Sequence, residues 1–189
     1  MVPPRSKFAA FALLLCISYV GVYAKQLAHI DDPAEIATID AGWASSTESK
    51  LERIESLSGI KVVLQFHAKA PSAQEDSVAG AYMKALSTSL GTAQKGVLIV
   101  YFADDPDWRI WVGDDLAARF AGKAGSAAEL TANGGIHNAK EAYLDTSVAK
   151  ADADFKSAPG PSSVSRRIRM EADALLDNLC LKLQIKTGG

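Results

Sequence analysis

The stretch GVLIVYFADDPDWRIWVGDDLAARF, residues 96–120, decides the fold. Its apolar run at 97–102 is rich in β-branched and aromatic side chains, which predicts a strand covered on both faces. Asp104, Asp105, Pro106 and Asp107 then form an acidic turn too short for anything but a hairpin, so 108–112 is expected to return antiparallel. Gly113, Asp114 and Asp115 follow and open a helix. The five aspartates are expected on one edge of the sheet. At that density their repulsion must be relieved by water, a cation or a basic partner.

Working toward the N-terminus, IKVVLQF at 60–66 reads as a second doubly covered strand. Residues 75–90 read as a helix with Val78, Tyr82, Ala85 and Leu86 on one face, ended by Gly91. Strand, helix, strand is a βαβ unit, whose two strands should be parallel. Ser45 and Glu48 have capping-box spacing ahead of a stripe at Leu51, Ile54 and Leu57, with Gly59 as the left-handed stop. Residues 25–42 form an irregular lead-in with room for one short strand. Beyond Gly113 the chain is alanine-rich: helices are expected at 115–120 and 126–132, and over 137–155 with interruptions. SAPGPSS at 157–163 is a linker. The longest helix, 164–185, carries Ile168, Ala172, Leu175, Leu176, Leu179 and Leu183 as an amphipathic stripe that packs back on the sheet.

The 189 residues are 48% hydrophobic and 22% charged, which suits a single domain with its own core. Residues 1–24 read as a signal peptide: Arg5 and Lys7 precede an apolar stretch, and Val22, Tyr23 and Ala24 form a small-residue cleavage site. An uncleaved anchor is the competing reading of that segment. Cleavage gives an exported protein, periplasmic or extracellular, comprising one domain at 25–189 without a membrane span. Of 20 basic residues, 18 then remain against 22 acidic, so nothing favours nucleic acid or an anionic lipid surface. Cys180 is left as the single thiol, so no internal disulfide forms.

The acidic turn lies just past the carboxyl end of a parallel strand, where open α/β sheets place ligands. Clustered carboxylates on loops suit a hard cation such as Ca²⁺. Asp114 and Asp115, opening a helix, also serve the positive end of its dipole. His67 follows a strand end and suits a general acid or a ligand, whereas His29 and His137 have no neighbours that suggest a role. Nucleophile-elbow, phosphate-loop and zinc-protease signatures are missing from the sequence. Trp108 and Trp111 alternate across one strand, so one is expected in the core and the other half exposed.

Ile30-Asp31-Asp32-Pro33-Ala34, Leu90-Gly91 with Gly96-Val97-Leu98-Ile99-Val100, and Arg109-Ile110-Trp111-Val112-Gly113 together resemble the motifs of the TPM domain family. The resemblance covers about residues 28–120, with 121–189 as a helical extension. It puts Asp32 at the family's motif aspartate. After Gly113 the family continues tyrosine-glycine-leucine-glutamate, where this chain has Asp114-Asp115-Leu116-Ala117, and Lys95 stands where the family commonly has asparagine. The resemblance implies a three-layer α/β/α Rossmann-like fold with a mixed central sheet and an acidic cleft. Asp32, Asp104, Asp105, Asp107, Asp114 and Asp115 are accordingly expected to meet as Ca²⁺ ligands or partner contacts. The expected function is that of a noncatalytic, cation-binding auxiliary or assembly factor acting on a cell-envelope or membrane-protein partner. Its rivals are metal-dependent hydrolysis of phosphomonoesters, also known among relatives in that family, and a TPM-like scaffold without any ion that acts purely through the hairpin and the long terminal helix.

Overall fold

The computed structural model describes residues 27–186, and the proposed signal segment 1–24 lies outside the described residues. Strands β1 (Ile30–Asp31), β2 (Lys61–His67), β3 (Gly96–Phe102) and β4 (Asp107–Val112) lie side by side in that order. The first three are parallel, and β4 runs antiparallel to β3. This is the mixed sheet of an α/β fold, with the βαβ crossover and the hairpin where the sequence places them.

Side chains alternate across the sheet and separate two cores. Val62, Leu64, Phe66, Val97, Ile99, Tyr101, Trp108 and Ile110 face a large core built with helices α1 (Ala41–Ser58) and α6 (Val164–Lys182). Val63, Leu98, Val100 and Phe102 face the smaller core under α2 (Ala81–Ser89). The six stripe residues read on the last helix are all buried. A short 3₁₀ turn at Asp114–Leu116 leads into α3 (Ala117–Ala121), followed by α4 (Ala127–Ala132) and α5 (Gly135–Ser157). Tyr143 of α5 is buried and donates its hydroxyl proton to the Leu175 carbonyl at 2.7 Å, which locks α5 onto α6.

Several local expectations are corrected. Helix α1 starts earlier than the Ser45–Glu48 pattern suggested: its N-cap is Asp40, whose carboxylate accepts from the Trp43 amide at 3.0 Å. Helix α2 starts at Ala81 because Gly80 has a left-handed φ of 79°, so Val78 sits in a turn and not on a helix face. Helix α5 runs unbroken, since no proline or glycine interrupts 136–157.

Two glycines at the base of the sheet are required by close approach. A Cβ on Gly96 would lie 2.7 Å from the Thr92 Cα, and one on Gly113 would collide with the Gln94 carbonyl. Both flank the tight 92–95 turn, and the Gly113 amide donates to the Gly96 carbonyl at 2.9 Å. Two of the resemblance motifs thus hold glycine, at 96 and 113, where backbone meets backbone.

Glu48, only 1% exposed, is the tie that brings β1 to the sheet. Its carboxylate accepts from the Ala28 amide at 2.8 Å, the His29 amide at 3.1 Å and His29 Nδ1 at 2.9 Å. On the far side of the ring, His29 Nε2 meets the Glu55 carboxylate at 2.7 Å. With a carboxylate on each ring nitrogen, both nitrogens are donors and the imidazolium form is favoured. Burial alone would lower the His29 pKa, but the hydrogen bonds and charges of Glu48 and Glu55 outweigh it and raise the value. His67 shifts the other way, lowered by burial against an opposing pull from Asp31.

These shifts bracket stability from both sides. His29 contributes stability that is complete below its unfolded pKa of about 6.5 and fades as pH rises through the higher folded value. His67 contributes stability present above about 6.5 that fades as pH falls. The melting temperature should therefore peak near neutrality. His29→Gln should flatten the alkaline limb and cost about 2–4 kcal/mol in urea denaturation, because it leaves a buried carboxylate short of a partner. His67→Gln should flatten only the acid limb, and unchanged limbs in both variants would contradict these assignments.

Candidate functional site

The carboxyl ends of β1, β2 and β3 converge on one end of the sheet, together with the loop 32–40, the loop 68–80, the hairpin tip and the start of α6. Cross-bonds tie these segments together. The Ala103 amide donates to the His67 carbonyl at 2.9 Å, and the Ser165 hydroxyl donates to the Ile36 carbonyl at 2.7 Å.

The six aspartates expected to meet do not. The register pairs Phe102 with Asp107 and Val97 with Val112, so β4 carries the chain back along the whole length of β3. Six strand residues span about 20 Å, which puts Asp114 and Asp115 at the opposite end of the sheet from Asp104, Asp105 and Asp107. Asp32 shares the hairpin's end but follows β1, two strand spacings or about 10 Å to the side. Among the described residues, no three carboxylate, imidazole or thiol side chains gather in a way that could hold a metal ion.

Three of these six carboxylates, those of Asp32, Asp104 and Asp107, are engaged by the fold itself. Asp32 accepts from the amides of Ile36 at 2.9 Å, Ala37 at 2.7 Å and Thr38 at 2.9 Å, and from the Thr38 hydroxyl at 3.1 Å. Its oxygens therefore face hydrogen-bond donors, a donor set that repels a cation. Asp104 accepts from the Ala70 amide at 2.7 Å and ties the hairpin tip to the β2–α2 loop. Asp107 lies 3.6 Å from Arg109, which also pairs with Asp76 at 3.1 Å and stacks on Phe102. Asp105 is exposed at the tip. The backbone amides of Asp114 and Asp115 donate to the carbonyls of Ala93 and Gln94, closing the base of the sheet.

Side chains on the α2 side form a polar relay that His67 alone hinted at. Gln65 Nε2 donates to Asp31 at 3.3 Å, which turns Gln65 Oε1 toward His67 Nε2 at 3.0 Å. His67 therefore carries its proton on Nε2, and Nδ1 accepts from the Tyr82 hydroxyl at 3.2 Å. The Tyr82 pKa is raised, chiefly by burial and further by Glu75. The His67 ring is neutral in this relay, and both of its nitrogens are spent within it.

Two clefts flank β4. One, of about 550 Å³, lies between the hairpin, α5 and α6, with Tyr101 and Trp108 in its floor. There Glu171 is 5% exposed, accepting from Trp108 Nε1 at 2.8 Å and from Arg167 Nε at 2.9 Å. The other, of about 310 Å³, lies between α2, β4 and α5, with the Lys140 ammonium 4.8 Å above the Trp111 ring. Trp108 is the core tryptophan and Trp111 the partly exposed one, as strand alternation requires. The Trp111 indole nitrogen is buried without a hydrogen-bond partner.

The fold has a solved counterpart. It is similar to the N-terminal domain of a protein from P. gingivalis, determined in solution by NMR, with a TM-score of 0.54 and 13% identity over 86% of this chain and 88% of that one. At that identity the likeness shows the fold alone. No family model matches the chain, and no curated protein matches it.

Sequence reasoning missed Glu48, Glu171, Gln65 and Lys140, each of which lies in or beside an apolar segment. A glutamate inside an amphipathic helix gives little sign of burial. Its partner is supplied by a residue far along the chain, as with Trp108 for Glu171.

Asp32→Ala should cost about 1–3 kcal/mol by leaving three amides without their acceptor. Millimolar Ca²⁺ should shift the melting temperature of the wild-type chain no more than that of the variant. A calcium-dependent shift confined to wild type, read by differential scanning fluorimetry, would restore the ion-ligand role.

Proposed function

We propose that this chain is an exported, noncatalytic binding module of the TPM type, which engages a protein partner of the cell envelope through the loops at the carboxyl ends of its strands. One observation carries the reading. Three large aliphatic side chains from separate segments stand exposed at that end: Ile39 at 67%, Val78 at 70% and Val164 at 73%. Exposed aliphatic groups are unremarkable singly, and Leu57 and Leu181 are exposed near the far ends of α1 and α6. These three, however, sit on segments that share the strand-end face, Ile39 leading into α1, Val164 opening α6 and Val78 leading into α2, and offer apolar contacts on both sides of the sheet there. The TPM motifs support the family part of the reading, since Gly96 and Gly113 fall on close backbone approaches, Gly91 holds a left-handed φ of 72° and Asp32 closes a turn. Export rests on the signal pattern of residues 1–24.

The geometry favours binding over hydrolysis. Phosphomonoester hydrolysis needs positive groups for the phosphate and a clamped ion or an activated water. Arg109 is already engaged by Asp76 and Asp107, and the His67 relay is closed on itself. The residues implied as ligands do not fit a shared Ca²⁺, so calcium has no part in the proposal. Among the described residues no helix is long and apolar enough to cross a membrane.

A photo-crosslinking residue at Val78 should give one discrete adduct with an envelope protein. Ile39→Asp should abolish that adduct without lowering the melting temperature, and a chelator should leave it intact. Turnover of p-nitrophenyl phosphate that is lost in both Asp32→Ala and Asp104→Ala would overturn the noncatalytic reading.

A further inference from the structure

The cleft of about 550 Å³ between the hairpin, α5 and α6 opens beside Val164, at the strand-end face. Its walls are aliphatic: Leu144 and Val148 come from α5, and Val164 and Ile168 from α6. The aromatic floor is buried, Tyr101 and Trp108 each being 5% exposed. A cleft of this kind takes apolar side chains from water at a favourable cost per area.

Its charge leans negative. Asp107, Asp145, Glu171 and Arg167 line it, and Arg109, 3.6 Å from Asp107, is itself shared with Asp76, so the carboxylates outnumber the cations around it. The Arg167 guanidinium is already divided between Glu171 at 2.9 Å and Asp152 at 3.0 Å. Asp145 is exposed at the rim, and no ion pair or hydrogen bond links its carboxylate to another described residue. The Tyr101 pKa is raised, by burial first and by the Glu171 charge second, against an opposing pull from Arg167.

We propose that this cleft binds a short apolar peptide segment carrying an arginine or lysine, supplied by the protein partner. A long basic side chain can lay its methylene stem along Leu144 and Val148 while its head reaches Asp145. The aromatic floor adds attraction for a cation. An acidic or phosphorylated segment would meet the unpaired Asp145 carboxylate at the rim and an excess of carboxylates around the cleft, and is disfavoured by that charge. The inference rests on the partner-binding reading and gives that partner its chemistry.

The test uses the full chain and two synthetic peptides, acetyl-Ala-Leu-Arg-Val-Ala-amide and its counterpart with glutamate in place of arginine. In ¹H–¹⁵N spectra the arginine peptide should give saturable shifts at Leu144, Val148, Val164 and the Trp108 indole, and the glutamate peptide none. Asp145→Lys should raise the Kd for the arginine peptide about tenfold, with Asp145→Asn between the two. The inference is overturned if the arginine peptide does not bind, if the glutamate peptide binds as well, or if Asp145→Lys leaves Kd unchanged. Failure here with a surviving Val78 adduct would remove only the cleft's assignment. Loss of that adduct as well would remove the partner-binding reading itself.

Discussion

Everything in this molecule hangs on the register of β3 with its two neighbours. Seven residues of β2 pair in parallel with seven of β3, and the return strand β4 pairs in turn with β3 from Val97–Val112 to Phe102–Asp107. Because β3 is buried along its whole length, a slip by one residue would turn every core side chain to the wrong face. The glycines at 96 and 113 permit the tight base that this register needs. The same pairing fixes where each acidic residue lands. Those before β4 reach the strand-end face, and those after it are carried to the opposite end.

Given that arrangement, acidity serves architecture before chemistry. Asp32 closes a turn, Asp104 joins two loops, Glu48 clamps β1 through His29, and Glu171 anchors α6 to Trp108. Asp104 acts at the exposed surface, whereas the other three carboxylates accept from wholly or partly buried groups whose loss of a partner costs about 1–3 kcal/mol apiece. What remains free for partners is modest and localised: a few aliphatic tips on the loops, and a cleft whose charge is negative because the arginines around it are already shared. Binding specificity built this way comes from shape and sign, with no reactive group required.

Much of the fold was legible in the sequence because its signals are local. The doubly apolar runs at 60–66 and 97–102, the acidic hairpin turn and the stripe from Ile168 to Leu183 each declare themselves within one window. Left-handed stops at Gly59 and Gly91 were equally plain, with φ of 65° and 72°. The failures have a common cause. Glu48 fits a capping box by spacing, yet tertiary burial recruited it to His29, nineteen residues away. The aspartates look like one cluster when read along the chain, because sequence proximity hides the length of an intervening strand. His67 was visible as a strand-end histidine, but its tautomer depends on Gln65 and Asp31, which only pairing of β1 with β2 brings together. The aliphatic tips were illegible as a group, since three loops distant in sequence share an end only after folding.

The central structural claim, on which the rejection of a shared cation site turns, is that the hairpin aspartates and those after β4 stand at opposite ends of the sheet. Spin labels at Asp105→Cys and Asp115→Cys, with Cys180 replaced by alanine, measure that separation directly by pulsed electron–electron resonance. A distance of about 20 Å or more, the same with and without millimolar Ca²⁺, is the predicted result. A separation near 10 Å, or a contraction when calcium is added, would contradict the account and return these carboxylates to a shared cation.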